Sequence, residues 1–143
     1  MDPLRVAELE RRLGYRFRDP SLLECALTHA SYANEHPPAA DHARLAFLGD
    51  AALALVVADH LSADDPAAPV GVLTVRRAEL VTGARAAELD LGPLLRLGRG
   101  EDQSGGRARD SILASALEAV LGAIYAEAGL EPLRSAVGRL AAW

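Results

Sequence analysis

Residues 41–56 read DHARLAFLGDAALALV. From Leu45 onward apolar residues recur on nearly every side of a helical turn, and the run continues to Leu61. A helix apolar all round is buried on several sides or sits at an interface. One carboxylate, Asp50, interrupts it. Residues three or four apart share a helix face, so Ala46 lies one turn before Asp50 on the same stripe.

A second apolar helix is expected over residues 110–127, opened by Asp110 or Ser111. It carries Ser115 and Glu118, three apart and therefore also on one face. Acids at all four positions would put two carboxylates on each of two buried helices. Facing one another, they would form an oxygen cage for Mg²⁺, suited to metal-assisted phosphodiester hydrolysis. In this chain only Asp50 and Glu118 are acids.

The remaining signals are also helical. DPLRVAELERRLG opens on Asp2 as N-cap with Pro3 in the first turn and closes on Gly14, with Leu4, Ala7, Leu9 and Leu13 as its apolar stripe. DPSLLECALTHASY repeats the opening at Asp19 and Pro20 and reads as one helix with Leu22, Leu23, Ala26 and Leu27 inward. NEHPPAAD and SADDPAAPVG are breaks. Residues 72–89 read as helix, with Arg76, Arg77, Arg85 and Glu88 as polar punctuation. The Gly-rich 90–110 stretch reads as irregular or as short turns, and a last amphipathic helix starts near Pro132. No alternating strand pattern and no repeat is visible, so the class is all-α, in one domain over residues 1–143.

The 143 residues suffice for one hydrophobic core. No apolar run of about 18 residues lacks a charge or breaker, which argues against a membrane span. The N-terminus lacks the pattern of a signal peptide. A lone cysteine excludes an internal disulfide and suits a reducing compartment, so a cytoplasmic location is expected. All fifteen basic residues are Arg, and the net charge is -5. That balance disfavours nucleic-acid binding by global charge and leaves room for a local Arg patch.

From about residue 6 to residue 140 the chain resembles the catalytic domain of ribonuclease III. The resemblance rests on LERRLGYRFRDPSLLECALTHASYANEH, on ARLAFLGDAALALVVADHL, and on the stretch from LGRGEDQSGGRARD through SILASALEAVLGAIYAEAGLEPLR. It implies an all-helical, homodimeric endonuclease domain that cleaves double-stranded RNA with Mg²⁺. The family signature runs roughly Asn-Glu-Arg-Leu-Glu-Phe-Leu-Gly-Asp. Its Asn falls on His42, its first Glu on Ala43, its ligand Glu on Ala46 and its ligand Asp on Asp50. On the later helix the ligand Asp falls on Ser115 and the ligand Glu on Glu118. Two of four expected ligands are missing while SGGRARDSILA is largely kept, so Mg²⁺ binding is expected to be weak or absent.

Other residues carry paired readings. Phe47 and Leu48 read as core, and the resemblance turns them into a contact with a second copy across an isologous interface. Cys25 and His29, four apart on one expected helix, have the spacing of a thiolate and its base, although His29 belongs to a THASY stretch similar to the family's own. His42 shares the stripe of Ala46 and Asp50. It is a candidate ligand for a softer metal, or, on the plainer reading, hydrogen-bonds a carboxylate or faces solvent. Arg96, Arg99, Arg107 and Arg109 read as phosphate contacts on RNA, or as a solvated loop balanced by Glu101, Asp102 and Asp110. No double-stranded-RNA-binding domain follows before Trp143, so weak intrinsic RNA affinity is expected.

Three functions compete. One is a two-fold dimer with an impaired metal site, kept for binding structured RNA or a ribonucleoprotein. The second is an atypical Mg²⁺-dependent endonuclease using Asp50 and Glu118. The third is a dimer cleft repurposed for a small molecule, with Cys25, His29, His42, Asp50 or Glu118 as the reacting groups.

Overall fold

Two aspartate caps set the entry of the chain. Asp2 accepts from the Leu4 amide and starts helix α1 (Pro3–Leu13); Asp19 accepts from the Ser21 amide and starts α2 (Pro20–Ala26). Proline at the start of each helix costs nothing, because its missing N–H would be unpaired there. Gly14 ends α1 in the left-handed region at φ 65°, where a side chain would be strained and would also strike Arg139. The computed structural model describes residues 1–80 and 88–143. Its further helices are α3 (Ala30–Glu35), α4 (Ala43–Asp64), α5 (Val70–Glu79), α6 (Arg99–Gln103), α7 (Asp110–Ala128) and α8 (Leu130–Ala141), with 3₁₀ turns at Gly92–Leu94 and Gly106–Ala108.

The core is organised around α4 and α7, which make the most extensive helix contact among the described residues. Two glycines allow it. A Cβ on Gly49 would lie 1.8 Å from the Glu118 carbonyl oxygen, and one on Gly122 would lie 2.1 Å from that of Leu45. The backbones therefore touch at this crossing. Val56, Val57, Ala116, Ala119, Val120 and Ile124 are fully buried beside it. α1, α2 and α8 close the core with Leu9, Leu13, Leu23 and Leu133. By length and apolarity α4 and α7 would each suffice to cross a membrane, although each carries acids in its middle. In the fold about half of that stretch of α7 and a third of that of α4 are buried.

The structure corrects several sequence expectations. Leu4 and Ala7 are exposed; α1 turns Val6, Leu9 and Leu13 inward instead. The expected single helix from Asp19 to Tyr32 is two. α2 stops at Ala26, Thr28 forms a parallel bridge with Arg96, and α3 begins after His29. The break is held by long-range bonds: the Arg96 amide donates to the Leu27 carbonyl, and the His29 amide to that of Arg96. α4 runs on through Ser62–Asp64, so the following loop is shorter than expected. Of the helix expected over 72–89, Val70–Glu79 is observed; residues 81–87, including Arg85, lie outside the described residues. α7 starts at Asp110 with Arg109 in the cap position and no side-chain cap.

Candidate functional site at the α4–α7 crossing

The glycine contact brings the two expected acids to one place. Asp50 follows Gly49 on α4, and Glu118 supplies the carbonyl that Gly49 faces on α7. Asp50 is exposed, which corrects the expectation of a buried acid, and Glu118 is half-buried. The Glu118 carboxyl is pushed above the usual carboxylate range, first by burial and then by the negative charge of Asp50. The two groups thus feel one another. Ala46 and Ser115, one turn away on the same two helices, are half-buried and bring no charge. Among the described residues no group of three or more His, Cys, Asp or Glu is placed to hold a metal ion. The pair fits Mg²⁺ only as a partial donor set, which water and phosphate oxygens would have to complete.

Cys25 and His29 do not form a nucleophile and base. The helix break separates them: the Cys25 thiol donates to the Asp41 carbonyl at 3.3 Å, and His29 Nδ1 accepts from the Ser31 amide as cap of α3. Burial, then the charge of Asp41, raises the Cys25 pKa, the wrong direction for a thiolate. His42 is the N-cap residue of α4, one turn before Ala46, whose amide donates to its carbonyl. It is buried, packs edge-on against His29 at 5.9 Å between ring centroids, and has no partner at Nδ1. It therefore neither bonds a carboxylate nor faces solvent.

The arginines divide. Arg96 pairs with Glu24 and lies 4.2 Å over the Tyr32 ring, Arg107 pairs with Asp102 and reaches the Gly92 and Leu95 carbonyls, and Arg109 pairs with Glu101. These three hold the Gly-rich segment together, and only Arg99 stays exposed with no ion pair among the described residues. Arg44, which sequence reading passed over, is likewise exposed on α4 beside Phe47.

Phe47 is 83% exposed and Leu55 57% exposed, so neither is core. With half-buried Leu48 and exposed Tyr125 from α7 they form a continuous apolar face. Tyr125 was not singled out from the sequence; its contribution depends on the α4–α7 packing.

Comparison with known proteins bears on the fold. A family model described as ribonuclease-III-like matches residues 19–141. Proteins named Ribonuclease 3 from Symbiobacterium thermophilum and Alkalilimnicola ehrlichii are each 51% identical over 135 and 136 residues, 92% of this chain. The chain spans 57% and 58% of their lengths. Two structures of the nuclease domain of ribonuclease III from Campylobacter jejuni superpose with TM-scores of 0.86 at 39% and 38% identity, covering 94% and 98% of this chain and 94% of each of theirs. One of them is described as flexible in a region involved in dimer formation.

Proposed function

Because the chain belongs to the ribonuclease-III-like family, we propose that it is a nuclease-fold domain whose metal site is reduced to Asp50 and Glu118. It acts as a two-fold dimer that binds structured RNA or a ribonucleoprotein, with cleavage impaired or lost. The observation that carries this reading is the α4–α7 crossing: the scaffold that presents two acids is kept, while Ala46 and Ser115 beside them bring none.

Mg²⁺, where bound, would be held by Asp50 and Glu118 and would supply charge neutralisation at a phosphate and a more acidic water. Asp50 is exposed and ready to meet such an ion, whereas Glu118 resists ionisation. In-line displacement needs the reacting groups fixed to within a fraction of an ångström, which two ligands do less well than four. Arg99 and Arg44 are exposed cations with no ion pair among the described residues, available to an RNA backbone. A cytoplasmic setting and a single domain over 1–143 are part of the same proposal.

The atypical endonuclease is the second reading, favoured by the electrostatic coupling of Asp50 and Glu118. The small-molecule reading has less support, since Cys25, His29 and His42 do not converge with the acids on one cavity. One experiment separates the first two. Cleavage of duplex RNA is measured in Mg²⁺ and in Mn²⁺ for the unmodified protein and for the double variant Ala46→Glu, Ser115→Asp. The expected result is a rate several orders of magnitude higher in the double variant, with salt-sensitive RNA binding in both. Equal rates in the two proteins would overturn the impaired-site reading and favour the second.

A further inference from the structure

His42 is the one described side chain with a fully buried polar atom that lacks a hydrogen-bond partner. It is 7% exposed, and it sits where α4 is rooted in the rest of the molecule. Its amide donates to the Thr28 carbonyl at 2.9 Å, and its carbonyl accepts from the Ala46 amide at 2.9 Å. Its ring meets the Ala26 backbone, and Nδ1 is left buried with no partner. A buried polar atom without a partner is costly, and a second proton on the ring would place a poorly paired cation in the interior.

The surroundings offer that cation little. His29, from the start of α3, meets the ring edge-on. The nearby thiol of Cys25 is turned to the Asp41 backbone. Glu24 and Arg96, on the elements around the junction, neutralise one another. Asp41 is the one acid acting on the ring from its own segment, and its carboxylate already accepts from the Ala43 amide. The ring also lies just before the first turn of α4, at the positive end of that helix. Burial, followed by the charge of His29, lowers the His42 pKa from its ordinary value against the opposing pull of Ala26 and Asp41.

We propose that His42 is an acid-sensitive latch: proton uptake at its ring in mildly acidic solution releases the root of α4 from the Thr28–His29 junction. The turn that loosens carries Arg44 and Phe47, so the exposed apolar face loses its fixed geometry together with the latch. The sign follows from linkage. A histidine whose folded pKa is depressed is neutral in the folded chain and charged in the unfolded one below about pH 6.5. Stability is therefore full above that value and falls as pH drops through it, until the folded ring also protonates.

The test compares urea unfolding of the wild type and His42→Asn between pH 7.5 and pH 5. Asn is neutral throughout and keeps a polar side chain at the position. The unfolding constant of the wild type should rise over this interval by up to about thirty-fold more than that of the variant. Parallel pH profiles would overturn the proposal. Should His42→Asn fail to fold, the four histidine ring signals of the wild type are titrated by NMR, assigned through His36→Gln and His60→Gln. A buried ring that stays neutral well below the pH at which those two protonate, with faster exchange of the His42 and Ala46 amides once it does titrate, supports the latch. A His42 ring that titrates alongside them overturns it.

Discussion

Glu118 and Asp50 stand on adjacent backbones, and their coupling makes a single-residue prediction. The folded pKa of Glu118 is raised above its unfolded value, so the folded chain holds that proton more tightly than the unfolded one. The favourable contribution is complete below the unfolded pKa of about 4.5 and is lost as pH rises through the folded pKa. Ionised Glu118 therefore weakens the fold at neutral pH. Glu118→Gln is expected to be more stable than wild type at pH 7, with the difference closing below pH 4.5 in urea unfolding. Asp50→Asn should recover part of the same gain, since it removes one of the two causes. A Glu118→Gln variant that is no more stable at pH 7 would refute this account. The absence of acids at 46 and 115 was readable from helical spacing and family resemblance. The fate of Arg96, Arg107 and Arg109 was not, because a side chain's choice between an RNA phosphate and Glu24, Asp102 or Glu101 depends on how the chain folds back.

At the scale of elements, the α4–α7 crossing rests on Gly49 and Gly122. A methyl group at either position meets a carbonyl oxygen of the opposite helix, and backbone cannot swing aside as a flexible side chain does. Overpacking a core typically costs about 1–3 kcal/mol, and contact with a rigid backbone belongs at or above the upper end. Gly49→Ala and Gly122→Ala are each expected to lose about 3 kcal/mol or more by urea unfolding. Together they should cost less than the sum, because one displacement of the helices relieves both contacts. A wild-type midpoint for either variant would mean that the helices do not touch there. The helices themselves were largely legible: caps at Asp2 and Asp19, the stop at Gly14 and the two long apolar runs all follow local rules. The break at Leu27–His29 was hidden because its cause is pairing with Arg96, 68 residues beyond Thr28. The stripe of α1 was misread by the pull of Leu4, whose apolar side chain faces water.

For the molecule as a whole, the unresolved balance is between a hydrophobic face and water. Phe47 and Leu55 are both more than half exposed, and Leu48 and Tyr125 extend the same surface across α4 and α7. A contiguous apolar patch of this kind marks an interaction surface. In the proposed two-fold dimer this patch would be the contact, with Phe47 of each copy meeting the other. Phe47→Asp would place a charge where that contact must be dry. It is expected to weaken self-association by about 100-fold or more, the loss of a central aromatic anchor, while leaving the monomer's helical content intact. Sedimentation equilibrium reads the first quantity and circular dichroism the second. Thermal unfolding gives an independent check, because dimerisation makes the midpoint rise with protein concentration. That dependence should be present in the wild type and absent in Phe47→Asp. A wild type that sediments as a monomer at tens of micromolar, with a midpoint independent of concentration, would remove the dimer from the proposed function and leave the acid pair on an isolated domain.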